Sequence, residues 1–361
     1  MSNKELYTVW AQKQERLPVF MQPWWLDAVC AGKEWDVILV ESKKSKTENG
    51  QATLSDESDS ASDEHPTSTP SVSDEQTIKE VGEDSKIEEN TIVAAMPYLF
   101  RKKWWMRWIL MPQQTQFGGL WLDERHEFTP EELTAVCGEA ARQLEEKKLH
   151  YYYQQFPVGS PCPEIFKSLG FKVKERITYR LNDLSNLDNI IDNFSRNKKR
   201  QLQKALALHV SNDLTAEEFY AFHQNSLAQQ RKKISYSREF FLVLERKANR
   251  NGQSQIVAIR DADEHLRAAG FLVWDKEYAH YLIAAEDETQ KNNGAMALLV
   301  LECIKLARKK DVAFDFEGSM IRGVAQHFKQ FGSSPAKYYS VEKYYKWWFA
   351  ILKFCYTLFR K

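Results

Sequence analysis

Residues 312–319 read Val312-Ala-Phe-Asp-Phe-Glu-Gly-Ser319, with Arg322 just beyond. The run is apolar and then ends in two acids, a glycine and a serine. Alternation along a strand puts Asp315 and Glu317 on one face and Phe314 and Phe316 on the other. Gly318 turns the chain, and Ser319 can cap a helix reaching about Phe331. A strand end that hands over to a helix N-terminus is where α/β sheets bind ligands and where anions are favoured. Asp315 and Glu317 are therefore candidates for taking a proton or holding an ammonium group, and Arg322 for meeting phosphate. The same spacing also fits a capping carboxylate salt-bridged to Arg322.

The flanking sequence predicts a layered α/β unit. Gly294 to Lys310 places Met296, Leu299, Val300, Cys303, Ile304 and Ala307 on one helical face. Before it, Ser254–Arg260, Leu266–Trp274 and Ala279–Ala285 read as three strands joined by polar turns. Helices are expected at Thr215–Arg231 and Phe240–Ala248, and a closing strand at Tyr338–Val341. The first half repeats the plan. Strand-like runs at 35–41 and 91–97 precede a short strand at 120–122. Thr129-Pro-Glu-Glu132 starts a helix that runs to about Lys148. A strand at Tyr151–Phe156, a short helix at Pro163–Leu169 and a strand at Phe171–Leu181 follow. The fold class is α/β (α+β), with a mixed sheet in each of two halves.

A balanced charge, with Lys+Arg 50 and Asp+Glu 50 in 361 residues, hides an uneven distribution. Residues 41–90 hold 14 acids and 5 bases; the remaining 311 residues hold 45 bases and 36 acids. The stretch 43–90 is Ser, Asp, Glu and Thr with little to bury, and is expected to be a disordered acidic insertion at a hairpin tip. Its charge could also screen a phosphate groove on the basic body.

Two basic segments stand out in that body. Ser195-Arg-Asn-Lys-Lys-Arg-Gln-Leu-Gln-Lys204 has five bases and no acid. On a helix Arg196, Lys199 and Arg200 share a face suited to phosphate, while Leu202, Ala205 and Leu206 are expected inward. Asn293 and Gly294, before the long helix, form a turn that could present backbone N–H groups to a CoA pyrophosphate. An ordinary turn fits as well. The C-terminal segment 343–361 is aromatic with Lys346, Lys353 and Arg360 at seven-residue spacing. It suits either an interfacial helix in lipid headgroups or a helix packed on the body. Arg101-Lys-Lys-Trp-Trp-Met-Arg-Trp108 is a second basic-aromatic patch.

Other classes are excluded. No ~20-residue apolar run can span a bilayer, and no secretory leader is visible at the N-terminus. Five scattered cysteines fit a reducing compartment without disulfides. The eight histidines show no paired metal spacing, and neither a nucleophile elbow nor a P-loop occurs. A cytoplasmic protein, peripheral at most to the inner membrane face, is expected.

Together, SRNKKRQLQKA, Gly-Ala-Met-Ala-Leu-Leu, FDFEGSM and His327-Phe-Lys-Gln-Phe-Gly332 resemble the Fem-type aminoacyltransferases and their acetyltransferase-like relatives of the GNAT superfamily. The resemblance implies two tandem GNAT-like domains, here 1–182 and 183–342, with a groove between them and 343–361 appended. It implies transfer of an activated acyl group to an amine, which Fem enzymes take from aminoacyl-tRNA to a cell-wall precursor peptide. It also implies Lys329 as a charge stabiliser for the tetrahedral intermediate. The donor is then acyl-CoA or aminoacyl-tRNA, used as a substrate with no tightly bound cofactor. The acceptor is an amine of a lipid-linked peptide or polysaccharide precursor. Two alternatives stay open: an acyl-CoA-dependent N-acetyltransferase, and a non-catalytic GNAT-like module that binds a membrane surface or nucleic acid.

Overall fold

The structure, a computed structural model, describes residues 1–42, 91–318 and 320–359. The acidic insertion, the Ser319 cap and Arg360 lie outside the described residues. By contacts the chain divides into Glu41–Thr91 and a larger unit formed by Met1–Val40 with Ile92–Lys361; the following concerns the larger unit.

Its first half begins with α1 (Asn3–Ala11) and α2 (Pro23–Val29), then β1 (Trp35–Ser42), β2 (Thr91–Lys103), β3 (Met106–Leu110) and β4 (Trp121–Leu122). Next come α3 (Pro130–Glu146), β5 (Tyr151–Phe156), α4 (Cys162–Ser168) and β6 (Lys172–Leu181). The second half runs α5 (Leu187–Asp192), α6 (Arg196–Lys204), β7 (His209–Ser211), α7 (Ala216–Gln229), α8 (Arg238–Arg250), β8 (Ser254–Arg260), β9 (Leu266–Trp274) and β10 (Tyr278–Glu286). It continues with α9 (Ala295–Lys309), β11 (Ala313–Asp315), α10 (Arg322–Lys329), β12 (Ser334–Tyr344) and α11 (Trp347–Phe359). The start signals act as read. Thr129 with Glu132, and Thr215 with Glu218, form reciprocal capping boxes, and Ser195 caps α6.

Both halves contain a parallel crossover: β3–α3–β5 in the first and β10–α9–β11 in the second. Each crossover is followed by one helix and one long strand. These last strands are exchanged. β6 of the first half pairs with β11 of the second, and β12 of the second pairs with β5 of the first. β6 and β12 also pair antiparallel with each other over nine residue pairs, Ser334↔Arg180 to Glu342↔Lys172. The strand order is therefore one continuous path, β1-β2-β3-β5-β12-β6-β11-β10-β9-β8-β7, with β4 on β2. The halves are not two sheets facing a groove; they are fused by their final strands.

The core confirms the fusion. On one face α1 and α2 pack with α7 and α8 in a single apolar cluster that includes Trp25, Phe20, Phe219, Phe241 and Phe271. On the other face α3 and α4 cover β1–β5, while α9 and α10 cover β8–β11. Alternation along β6 sends Tyr179 and Leu181 to the α9–α10 face. That leaves Arg176, Thr178 and Arg180 on the α1/α2/α7/α8 face, at the middle of the sheet. A polar strip thus crosses the centre of the molecule between two helix pairs.

Candidate active site

Asp315 is the last residue of β11 and is fully buried. Its Oδ1 accepts from the Thr178 hydroxyl and from the Glu317 backbone N–H at 2.8 Å; its Oδ2 accepts from Arg180 Nε at 2.7 Å. Arg180 is itself buried, its guanidinium stacked 3.9 Å over Tyr278. Asp315 does not meet Arg322: Arg180 takes the place of the partner expected from spacing. With both oxygens occupied, Asp315 fixes the end of β11.

Glu317 sits two residues further in a left-handed conformation, φ +58°, held there by its N–H to Asp315. Its Oε1 is buried without a hydrogen-bond partner. Burial, reinforced by the nearby Asp315 charge, holds its carboxyl well above the ordinary carboxylate range. Any side chain at Gly318 would collide with the Ile177 carbonyl and come within 3.2 Å of the Tyr338 hydroxyl, so the turn needs glycine. Gln116 donates to Thr178 Oγ1 at 3.2 Å while its own Oε1 is buried and unpartnered. Two unpartnered acceptors, Gln116 Oε1 and Glu317 Oε1, therefore belong to one chain of contacts through Thr178 and Asp315. Acceptors without donors suit an incoming N–H.

The strands part here. β10 and β11 pair only from Tyr278↔Ala313 to His280↔Asp315, after which β10 continues to Glu286 paired with β9 only. A register shift against β9 between Tyr281 and Ile283 takes Leu282 out of the ladder. Beside that bulge is a cavity of about 580 Å³ lined by Gln114, His223, Lys232, Lys233, Tyr236 and Leu282–Ala284. His223 lies 2.7 Å from the Tyr236 hydroxyl and is pushed down to about 4 by burial, so it is neutral at pH 7. A smaller cavity, about 280 Å³, is lined by Arg180 and lies at the end of β5.

The other candidates are placed as follows. Arg196 and Arg200 are exposed on α6, and Lys199 is 3.4 Å from Asp192. A hydrogen bond from Ser195 N to Gln330 O brings the start of α6 to the end of α10. Lys329, exposed, is thereby next to the start of α6; its Nζ lies 5.8 Å from the Tyr179 ring. Arg322 is exposed at the start of α10. The Asn293–Gly294 turn is not an open anion cradle. Gly294 is buried against the backbone of Gln201 and Ala205, and the Ala295 N–H is taken by Asn293 Oδ1 at 2.9 Å.

Helix α6 corrects one expectation. Leu206 is 81% exposed, while Lys198 is the residue turned inward, only 3% exposed. Lys198 Nζ donates to Gln201 Oε1 at 3.0 Å, lies 3.4 Å from His327 Nδ1 and sits over the Phe331 ring. Burial lowers it to about 8. Its position, four before Leu202 and seven before Ala205, was the available signal: it continues their stripe. Also missed were Arg180, Gln116 and the pair Asp275–His280, which long-range pairing alone brings to the centre.

Residues 192–330 match the family model described as Acetyltransferase (GNAT) domain. The match lies in the second half of the chain and identifies a GNAT-type acetyltransferase domain there. Among solved structures, FemX superimposes with a TM-score of 0.54 at 13% identity, over 72% of this chain and 86% of that one. A tandem GNAT protein from the clavulanic acid biosynthesis pathway aligns at 10% identity and TM-score 0.45, over 71% and 80%. L-PGS from Bacillus licheniformis aligns at 13% and 0.43, over 69% and 80%. No curated protein sequence matches the chain.

Proposed function

We propose that the chain transfers an activated acyl group to an amine at the end of β11, with Glu317 as proton acceptor. The observation carrying this reading is the buried, unpartnered Oε1 of Glu317, fixed by Asp315 where the parallel strands part. The amine nitrogen attacks the acyl carbon; the N–C bond forms and the C–S or C–O bond to the donor breaks. The proton lost by nitrogen passes to Glu317 and then to the departing thiolate or ribose oxygen. Amides at the Leu282 bulge hold the charge on the carbonyl oxygen; Lys329, beside Tyr179 on the α9–α10 face, would reach it only by moving from there. Asp315 is a positioning residue. The tandem halves divide near residue 182.

Both donor classes carry phosphates, and the bases of α6 and α10, Arg196, Lys199, Arg200, Arg322 and Lys329, are read as their docking face rather than the closed Asn293–Gly294 turn. Equilibrium binding of CoA and of aminoacyl-tRNA separates the donors. Replacing Arg196, Lys199 and Arg200 together by Ala is expected to weaken the true donor at least ~10-fold and to flatten its salt dependence by up to about three charges. Unchanged affinity and slope would remove α6 from the donor site.

The acceptor is read as an amine of a cell-envelope precursor presented at a membrane surface. Among the described residues no helix is long and apolar enough to cross a membrane. Helix α11 packs on the body through Trp348 and Phe349, against Trp105, His150 and Tyr151, yet leaves Trp347, Ile351 and Leu352 exposed. Trp104 and Trp105, also exposed, line a cavity with Lys102, Arg107, Lys148 and Lys346. Indoles beside lysines suit anionic headgroups. Flotation with anionic vesicles is expected for the full chain, and Trp104→Ser/Trp105→Ser/Trp347→Ser should abolish it. Equal flotation of both proteins would remove the membrane contact.

A further inference from the structure

The cavity of about 280 Å³ at the end of β5 has no part in the transfer just described. It lies after Phe156, along Pro157–Pro161, the first half's counterpart of the turn that follows β11. Ligands of α/β sheets are expected at both such strand ends. Its walls are apolar, from Phe117, Trp121, Pro157 and Tyr278. Two of its polar groups, Arg180 and His280, come from β6 and β10 of the fused sheet.

The first polar group is His280, 1% exposed. Its Nε2 lies 3.3 Å from Asp275 Oδ2. Asp275 also accepts from the backbone N–H groups of Val19, Glu277 and Tyr278. Burial works against its charge, but these bonds and His280 outweigh that and keep it below the ordinary carboxylate range. An ionised carboxylate only accepts, so Nε2 carries the ring proton. The atom left to meet a ligand is Nδ1, and it is buried with no hydrogen-bond partner. The second group is Arg180. Its Nε is committed to Asp315, while its Nη atoms make no hydrogen bond among the described residues.

His280, with its buried and unpartnered Nδ1, and Arg180, with its free Nη groups, thus line the same small space. The charged lining residues are Arg16 and Arg180 against Glu124, Asp275 and Glu277, a balance of −1. That balance disfavours a phosphate dianion and suits a ligand whose own charges cancel. The volume is at the lower end for small-molecule sites, of amino-acid size.

We propose that this cavity binds a free α-amino acid as its zwitterion. The carboxylate meets the Arg180 guanidinium, the amino group donates to His280 Nδ1, and the side chain lies on Phe117 and Trp121. The site stands whether or not Glu317 acts as proton acceptor.

The test is a titration of the full-length protein with each standard amino acid, followed by intrinsic fluorescence and by the ¹⁵N shift of the His280 ring. Saturable binding of at least one amino acid is expected, with His280 Nδ1 moving as it accepts a hydrogen bond. The matching amide, lacking the carboxylate, and the N-acetyl form, lacking the ammonium, should each bind at least ~10-fold more weakly. His280→Gln retains an N–H toward Asp275 but has no acceptor in place of Nδ1, and should lose binding with its circular dichroism unchanged. No saturable binding of any amino acid would overturn the proposal, as would equal affinity for the capped forms. The capped-ligand comparison uses the unaltered protein, so it decides the matter even if His280→Gln misfolds.

Discussion

Glu317→Gln is expected to cost ~10²–10⁴-fold in transfer, the usual weight of a positioned base, while making the protein harder to unfold above neutral pH. The two effects share one cause. Glu317 has a buried oxygen with no partner, and its carboxyl is held well above 4.5 by burial. Below the unfolded-state value both states are protonated, and the group contributes nothing to stability. As pH rises, the unfolded chain releases this proton first, so stability falls with pH until the folded carboxyl ionises as well. A neutral amide of the same shape does not titrate, and the loss disappears. Urea unfolding of both proteins should give equal midpoints near pH 4 and a higher midpoint for Glu317→Gln at pH 8. Turnover of the unaltered enzyme should rise with pH through a value above the carboxylate range, a limb absent in the variant. Full activity in Glu317→Gln would end the role assigned to this residue. A lower midpoint at pH 8 would show that the carboxylate is stabilised by contacts other than those seen.

What could be read from sequence and what could not divide along the range of the interactions. The capping boxes at Thr129 and Thr215 are set within four residues, and both helices start where expected. The strands at 254–260 and 266–274 alternate or run apolar between turns, and they form where read. Two acids leaving an apolar strand before glycine is likewise a local pattern, and the buried Asp315 and the turn at Gly318 lie where it was read. The partners were not legible. Arg180 is 135 residues from Asp315, and only the exchange of β6 and β12 brings them together. Nothing local to Phe171–Leu181 distinguishes a strand that closes its own half from one lent to the other. Similarly, Asp275 reads as a turn residue, and it does bond the turn amides; its grip on His280 depends on how β9 and β10 register. The inward Lys198 was legible by periodicity and hidden by charge, since a lysine in a basic run is assigned to solvent by default.

The exchange also fixes which residue can be removed without unfolding the centre. Arg180 and Asp315 are both buried, on strands from opposite halves, and each is the other's charge partner. Deleting one leaves an uncompensated charge, which costs roughly 3–5 kcal/mol. Arg180→Met and Asp315→Asn are therefore each expected to lower the denaturation midpoint sharply. Arg180→Met/Asp315→Asn, which leaves neither charge, should be more stable than the sum of the single changes by about 0.5–3 kcal/mol in a double-mutant cycle. Additive effects would mean the pair does not tie the halves together. The same variants separate anchoring from catalysis. Asp315→Asn keeps the shape but weakens the acceptor of the Glu317 N–H, so Glu317 loses its fixed position while remaining present. Turnover should then fall with the alkaline-rising limb of its pH profile retained. Were Asp315 the proton acceptor instead, that limb would vanish in Asp315→Asn and survive in Glu317→Gln. The geometry argues for the first outcome: of the two carboxylates, Asp315 has both oxygens occupied by Thr178, Arg180 and the Glu317 amide, and Glu317 has an oxygen to spare.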